Sequence, residues 1–164
     1  MSRTTEVLRF RPTDTADLLA VMEELATDRS GWVNLQAVVG DDEAPAPDAP
    51  PGRAGVFAWL SSSGPAVPVA SWVPGPTTRK GGHEPDSLGL QHAAGPRAAG
   101  TLAEAGLPVP PTWRRVADHP RRGLVMELPD GVAPTTVLEW AFPAMNILAG
   151  APLPDTWVAI VHRR

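Results

Sequence analysis

Apolar side chains recur along most of this chain at the spacing of either a helix or a strand. Between residues 13 and 29 they recur every three or four positions, which predicts a helix with one apolar stripe: Leu18, Val21, Met22 and Leu25. A proline near the first turn and a glycine after the last predict a short helix over 96–105. A third helix is predicted over 132–149, and it is apolar almost all round, as expected of a helix that is widely buried or forms an interface.

Strand patterns fill most of the remaining chain. Alternating or continuous apolar runs predict seven strands, over residues 32–39, 56–60, 67–73, 87–92, 113–117, 124–128 and 155–162. Tight turns join several consecutive strands, and strands joined in this way pair antiparallel. The pattern therefore predicts an α+β fold, in which a mostly antiparallel or mixed sheet of six or seven strands carries about three helices.

The length of 164 residues suits one domain with a core of its own, spanning residues 1–164. The segment over about 40–54 is acidic and rich in proline, which predicts a flexible loop. We interpret this segment as a loop within the domain, because the roughly forty residues before it are too few to form a separate core.

Composition and motifs exclude several kinds of chemistry. The chain has no cysteine and no tyrosine, which excludes disulfides, thiolate nucleophiles, cysteine-based zinc sites and tyrosine acid–base catalysis. The four histidines are scattered, with no pair at the i, i+4 spacing of a metal-binding helix, so no metal site is predicted. The sequence carries no serine elbow, dinucleotide fingerprint or phosphate-binding loop, and no cofactor is predicted.

Charge and hydropathy indicate where the protein is located and whether it binds nucleic acid or a membrane. The net charge is −4 and Lys80 is the only lysine, and both features argue against nucleic-acid binding. No basic segment followed by an apolar segment opens the chain. The longest apolar-rich stretch, 132–153, contains Glu139 and prolines and would span a membrane poorly. We therefore expect a cytoplasmic protein that contacts neither membrane nor nucleic acid.

One candidate ligand site lies where the strand over 87–92 leads into the helix over 96–105. His92 and Arg97 flank this junction, and free backbone N–H groups at such a helix start can bind an anion. Gly95 would let a ligand approach the backbone closely. The structural alternative is that His92 simply ends a strand and that Arg97 is an exposed residue of the first turn.

A second candidate site is the predicted hairpin tip between the strands over 113–117 and 124–128. There Asp118 could orient His119 as a general base, while Arg121 and Arg122 could hold a phosphate or carboxylate. The structural alternative is a solvated turn, in which neighbouring side chains point in different directions.

The helix over 132–149 and the tryptophans form a candidate protein interface. All six tryptophans fall in predicted strands or helices, where they can pack in the core or line a groove. A domain of this size has difficulty burying an all-round apolar helix, so we expect contact with a second copy or a protein partner. The candidate interface residues are Trp140, Phe142, Met145 and Leu148.

Two function classes follow from these features. The first, which the missing catalytic motifs favour, is a non-catalytic binding or protein-interaction domain that uses the C-terminal helix and the tryptophan-rich sheet. The second is a small-molecule binder or enzyme that acts on an anionic ligand through His92, Arg97 and the 118–122 tip. The sequence leaves open whether the protein is an enzyme, and a single concave pocket lined by those residues would favour the second class.

Overall fold

The computed structural model describes residues 3–39 and 67–164. The elements in chain order are β1 (Thr4–Phe10), α1 (Ala16–Asp28), β2 (Trp32–Ala37), β3 (Val69–Val73), β4 (Ser87–Gln91), α2 (Ala98–Glu104), β5 (Arg114–His119), β6 (Gly123–Glu127), α3 (Pro134–Leu148) and β7 (Trp157–Arg163). The predicted strand at 56–60 and the predicted loop at 40–54 lie outside the described residues. The bounds of the other predicted elements agree with the observed ones to within three residues.

The seven strands of the described residues join one sheet in the order β1-β7-β2-β3-β4-β6-β5, and each pairing between them is antiparallel. This arrangement confirms the α+β fold with a mostly antiparallel sheet. The chain ends meet at one edge, because β1 pairs with β7. The β5–β6 hairpin forms the opposite edge, and it lies close to α2.

The strand β1 is absent from the sequence-based predictions. Its side chains are mostly exposed, and only Leu8 and Phe10 pack against the core. Val7, Leu8 and Phe10 are the three apolar residues of the seven, and only the last two alternate, which is too weak a pattern to mark a strand. The strand forms because β7, from the far end of the chain, supplies its hydrogen-bond partner from Thr4↔Arg163 to Phe10↔Trp157.

The helices pack on one face of the sheet around a shared core. Leu18, Met22 and Leu25 of α1 are fully buried, and α3 lies in contact with α1, α2 and β3. Alternate residues of the central strands, such as Leu35 and Trp72, point into the same core. Among the residues that the structure describes, no helix combines the length and the apolar character needed to cross a membrane.

Candidate functional site

Strand pairing brings three separated segments together beside α2. β4 pairs with β6, and β6 pairs with β5, so the residues that follow β4 lie near the end of β5. Asp118 of β5 is opposite Leu124, whose side chain is in the core. Residues directly opposite in an antiparallel pair share a face, so Asp118 lies on the face that carries the helices.

The Asp118 carboxylate is bound to the start of α2. Its Oδ1 accepts the backbone N–H of Ala98 at 2.9 Å, and its Oδ2 accepts the N–H of Ala99 at 3.1 Å. The sequence pattern predicts that these N–H groups bind an external anion. The structure shows instead that they bind the carboxylate of the protein's own Asp118. The residue before them, Arg97, adopts the left-handed conformation (φ 69°, ψ 39°).

His92 is buried beside this carboxylate, with 1% of its surface exposed. Its Nδ1 accepts the backbone N–H of Ala94 at 3.2 Å, so the neutral ring carries its proton on Nε2. Nε2 has no hydrogen-bond partner, and it is the one such buried side-chain nitrogen or oxygen in the described parts of the chain. Burial lowers the pKa of His92, and the nearby Asp118 charge opposes that effect in part. The ring is therefore neutral at pH 7.

An open depression of about 520 Å³ lies between α2 and β5. Its lining residues are Pro96, Arg97, Gly100, Arg115, Val116, Ala117 and Asp118. Arg97 and Arg115 are both exposed, so two guanidinium groups and one carboxylate border the same space. Because the two cations outnumber the one anion, the depression carries a net positive charge within a chain whose net charge is −4. We call it the α2–β5 depression.

The sequence pattern gives no sign that Arg115 belongs to this site. Residues three apart on a regular strand point to opposite faces. A β-bulge between Arg115 and Ala117 shifts the register, and Arg115 is thereby opposite Met126 while Asp118 is opposite Leu124. Both partners are core residues, so the irregularity places Arg115 and Asp118 on one face, where a regular strand would separate them.

The hairpin tip does not join the α2–β5 depression. His119 is opposite Gly123 and follows Asp118 directly, so it points to the other face of the sheet. Its Nδ1 accepts the backbone N–H of Arg121 at 3.1 Å, an interaction that closes the turn. Arg121 and Arg122 are exposed and lie outside the lining. Asp118 therefore orients α2, and the dyad of Asp118 with His119 is not formed.

The candidate interface residues of α3 are buried within the single chain. Trp140, Phe142, Met145 and Leu148 are at most 8% exposed. The Trp140 indole donates a hydrogen bond to the Pro108 carbonyl at 3.1 Å, and other aromatic rings pack edge-on against Trp140 and Phe142. Self-association stays a prediction, but these four side chains have almost no free surface to contribute to it.

A second depression, of about 390 Å³, lies between β1 and the start of α1. Arg9, Arg11, Asp14 and Asp17 all border it, so its positive and negative charges balance and favour no ionic ligand. Within residues 3–39 and 67–164, no three acidic or histidine side chains converge in a way that could hold a metal ion.

Comparison of the chain with protein-family models, curated protein sequences and solved structures gives no significant match.

Proposed function

We propose that this protein is a binding domain for a small anionic molecule, a carboxylate or a phosphate ester, held in the α2–β5 depression. The observation that carries the proposal is the placement of Arg97 and Arg115 on opposite elements that border one space. Guanidinium groups bind carboxylates and phosphates through paired, charge-assisted hydrogen bonds. Two of them from different elements can hold an anion from two sides.

The backbone at Arg97 supports the proposal. A residue other than glycine in the left-handed region costs roughly 1–2 kcal/mol, and such strain concentrates at ligand sites, where the surrounding structure enforces it. Asp118 supplies that enforcement, because it holds the N–H groups of the next two residues, Ala98 and Ala99. We interpret Asp118 as the residue that positions Arg97, while the ligand contacts the guanidinium groups.

The lining favours binding over catalysis. The described residues that border the depression include no serine, threonine or histidine side chain. Their one carboxylate, Asp118, which could otherwise serve as nucleophile or base, accepts the N–H groups of Ala98 and Ala99. His92 lies beneath Asp118 and is 1% exposed, which keeps it from the ligand. The class of anion binder is thus supported by a subset of the predicted residues, Arg97 and Asp118, together with Arg115.

Calorimetric titration with inorganic phosphate and with succinate tests the proposal and distinguishes the two ligand chemistries. We expect Arg97→Gln and Arg115→Gln each to weaken binding by roughly ten- to a hundredfold, since a hydrogen bond to a charged group contributes about 1.5–3 kcal/mol. Arg122→Gln is the matched control, because Arg122 is exposed nearby but lies outside the lining. Equal losses in all three variants, or no binding of either anion, would contradict the proposal.

A further inference from the structure

The face of the sheet opposite the helices is a second surface with an unusual composition, and we call it the open face. On the five central strands its side chains are those of Trp32, Asn34, Gln36, Val69, Ser71, Val73, Ser87, Gly89, Gln91, Val125, Glu127, Val158, Ile160 and His162. Apart from Val158, which is buried, all keep part of their surface exposed. No helix of the described residues packs on them, since the helices share the other face.

Formal charge is almost absent from these positions. Glu127 is the one aspartate, glutamate, lysine or arginine among the fourteen, and its carboxylate is bound at 2.8 Å to Arg114 of the edge strand β5. On the other edge strand, β1, the same face carries Arg9, opposite Val158. Solvent-facing strands normally carry polar and charged residues, and 20% of the whole chain is charged. Depletion of charge is the compositional mark of the buried centre of a protein interface.

One row of residues crosses the sheet from edge to edge and explains how a flat partner could fit. The register pairs the row members in succession, one from each strand: Val7, Ile160, Asn34, Ser71, Gly89, Val125 and Ala117. We call this the central row. None of its members is charged, its two ends are apolar, and Ser71 and Gly89 at its middle are small. Small residues allow another backbone to approach closely.

The polar groups at the centre already satisfy one another. Ser71 donates a hydrogen bond to Asn34 Oδ1 at 2.7 Å, and Asn34 lies 3.3 Å from His162 Nε2. The His162 ring stacks on Trp32 with centroids 4.5 Å apart. Because these groups bind within the chain, covering them would leave few unpaired donors and acceptors. Partial burial also lowers the pKa of His162, so its ring is neutral at pH 7.

We propose that the open face is the contact between two copies of this chain, stacked sheet against sheet about a two-fold axis near Ser71. The central row suits such symmetry, because a two-fold operation sets one apolar end against the other end or against itself. Seven strands about 4.8 Å apart and five to seven residues long give a face of roughly 600 Å². Two copies would then bury about 1,200 Å² in total, which reaches the range of stable interfaces.

The second copy is favoured over a charged partner because the centre of this face has almost no charge with which to select one, and its arginines, Arg9, Arg114 and Arg164, lie at the rim. The proposed contact and the anion site meet at Ala117, which ends the central row and also borders the α2–β5 depression, while the two arginines of that site, Arg97 and Arg115, lie outside the open face. The α3 residues that the sequence pattern predicts for self-association are buried, whereas most side chains of the open face keep part of their surface exposed. We therefore assign the contact between copies to the sheet and not to α3.

Light scattering coupled to size-exclusion chromatography, run over a range of concentrations, tests the inference on the full chain. We expect a species of twice the 17.3 kDa chain mass. Gly89→Arg should raise the dimer dissociation constant by at least about tenfold, because two like charges would then face each other. An added Cβ at Gly89 meets nothing closer than Val125 Cγ2 at 3.9 Å, so the fold has room for the side chain.

The matched control is Gly150→Arg, which adds the same charge after α3, where an added Cβ meets no atom within 4 Å. Val7→Glu gives a second disruption of the central row at an edge position that is already 38% exposed. A monomer at every concentration would overturn the inference. So would a dimer that withstands Gly89→Arg and Val7→Glu while circular dichroism shows both variants folded.

Discussion

Asp118 Oδ1 accepts the backbone N–H of Ala98 at 2.9 Å, and this bond joins the edge strand β5 to the start of α2. The same carboxylate holds the next N–H and lies beside His92. The Asp118 side chain therefore caps α2, holds the edge strand β5 against the start of that helix and positions Arg97, the residue before Ala98. The α2–β5 depression depends on this arrangement, since its two cations come from the two elements that Asp118 connects.

Replacing Asp118 with alanine should destabilise the fold by about 1–2 kcal/mol, the usual cost of removing a side chain that caps a helix start. Asp118→Asn should cost less, because the amide oxygen can still accept one of the two N–H groups. Urea unfolding measures both changes in the free energy of unfolding. Asp130→Ala is the control at a side chain that is 82% exposed, and a loss there equal to that of Asp118→Ala would contradict the capping role.

Stability should fall as the pH drops below 6.5, in part because of His92. Burial lowers the pKa of His92 in the folded state, so below its ordinary pKa the unfolded chain binds the proton more readily. Its contribution is therefore fully present above pH 6.5 and is lost as the pH falls through the lowered pKa. Unfolding by urea between pH 7.5 and 5 should show a shallower acid loss in His92→Leu than in the original chain. His162, whose pKa is also lowered by burial, contributes with the same sign in both proteins, and identical slopes would refute the assignment to His92.

The Arg29–Asp86 ion pair should contribute more to the free energy of unfolding than the ion pairs at the surface do. The Asp86 carboxylate binds the guanidinium of Arg29 and also accepts the Gly75 N–H at 2.9 Å, and both charged side chains are at most 20% exposed. Asp86→Ala should therefore cost about 1–3 kcal/mol, because it leaves half-buried donors without an acceptor. Glu24→Ala, which breaks the exposed pair with Arg163, should cost less than about 1 kcal/mol. Thermal unfolding of both variants measures the difference, and equal losses would contradict this ranking.

Local patterns predict the elements of this fold better than they predict its site. Alternation identifies β2, β3, β4, β6 and β7 because each buries a row of side chains. β1 buries only Leu8 and Phe10, and these in part, and it depends on β7. His92 and Asp118 are 26 positions apart in the sequence and meet only through two strand pairings. Arg115 joins them through a bulge, which a period-two pattern cannot anticipate.

Gly100 offers a way to block the proposed site while the fold is kept. It borders the depression within α2, and an added Cβ there meets only Arg97 Cβ at 4.0 Å. Gly100→Ala should raise stability by roughly 0.5–1 kcal/mol, since glycine is unfavourable inside a helix, and should leave anion binding in place. Gly100→Glu should abolish phosphate and succinate binding, because its carboxylate occupies the cationic space. Calorimetry on the two variants gives the comparison, and equal binding by both would place the ligand elsewhere.

The most direct test of the anion-binding proposal is the amide ¹H–¹⁵N spectrum of the full chain, titrated with inorganic phosphate and with succinate at constant pH and ionic strength. We predict saturable shifts centred on residues 97–100 and 115–118, the two segments that supply most of the lining of the depression, for at least one of the two anions. These shifts should be absent in Arg97→Gln. Saturable shifts centred instead on Arg121 and Arg122, or a spectrum that neither anion changes, would contradict the account.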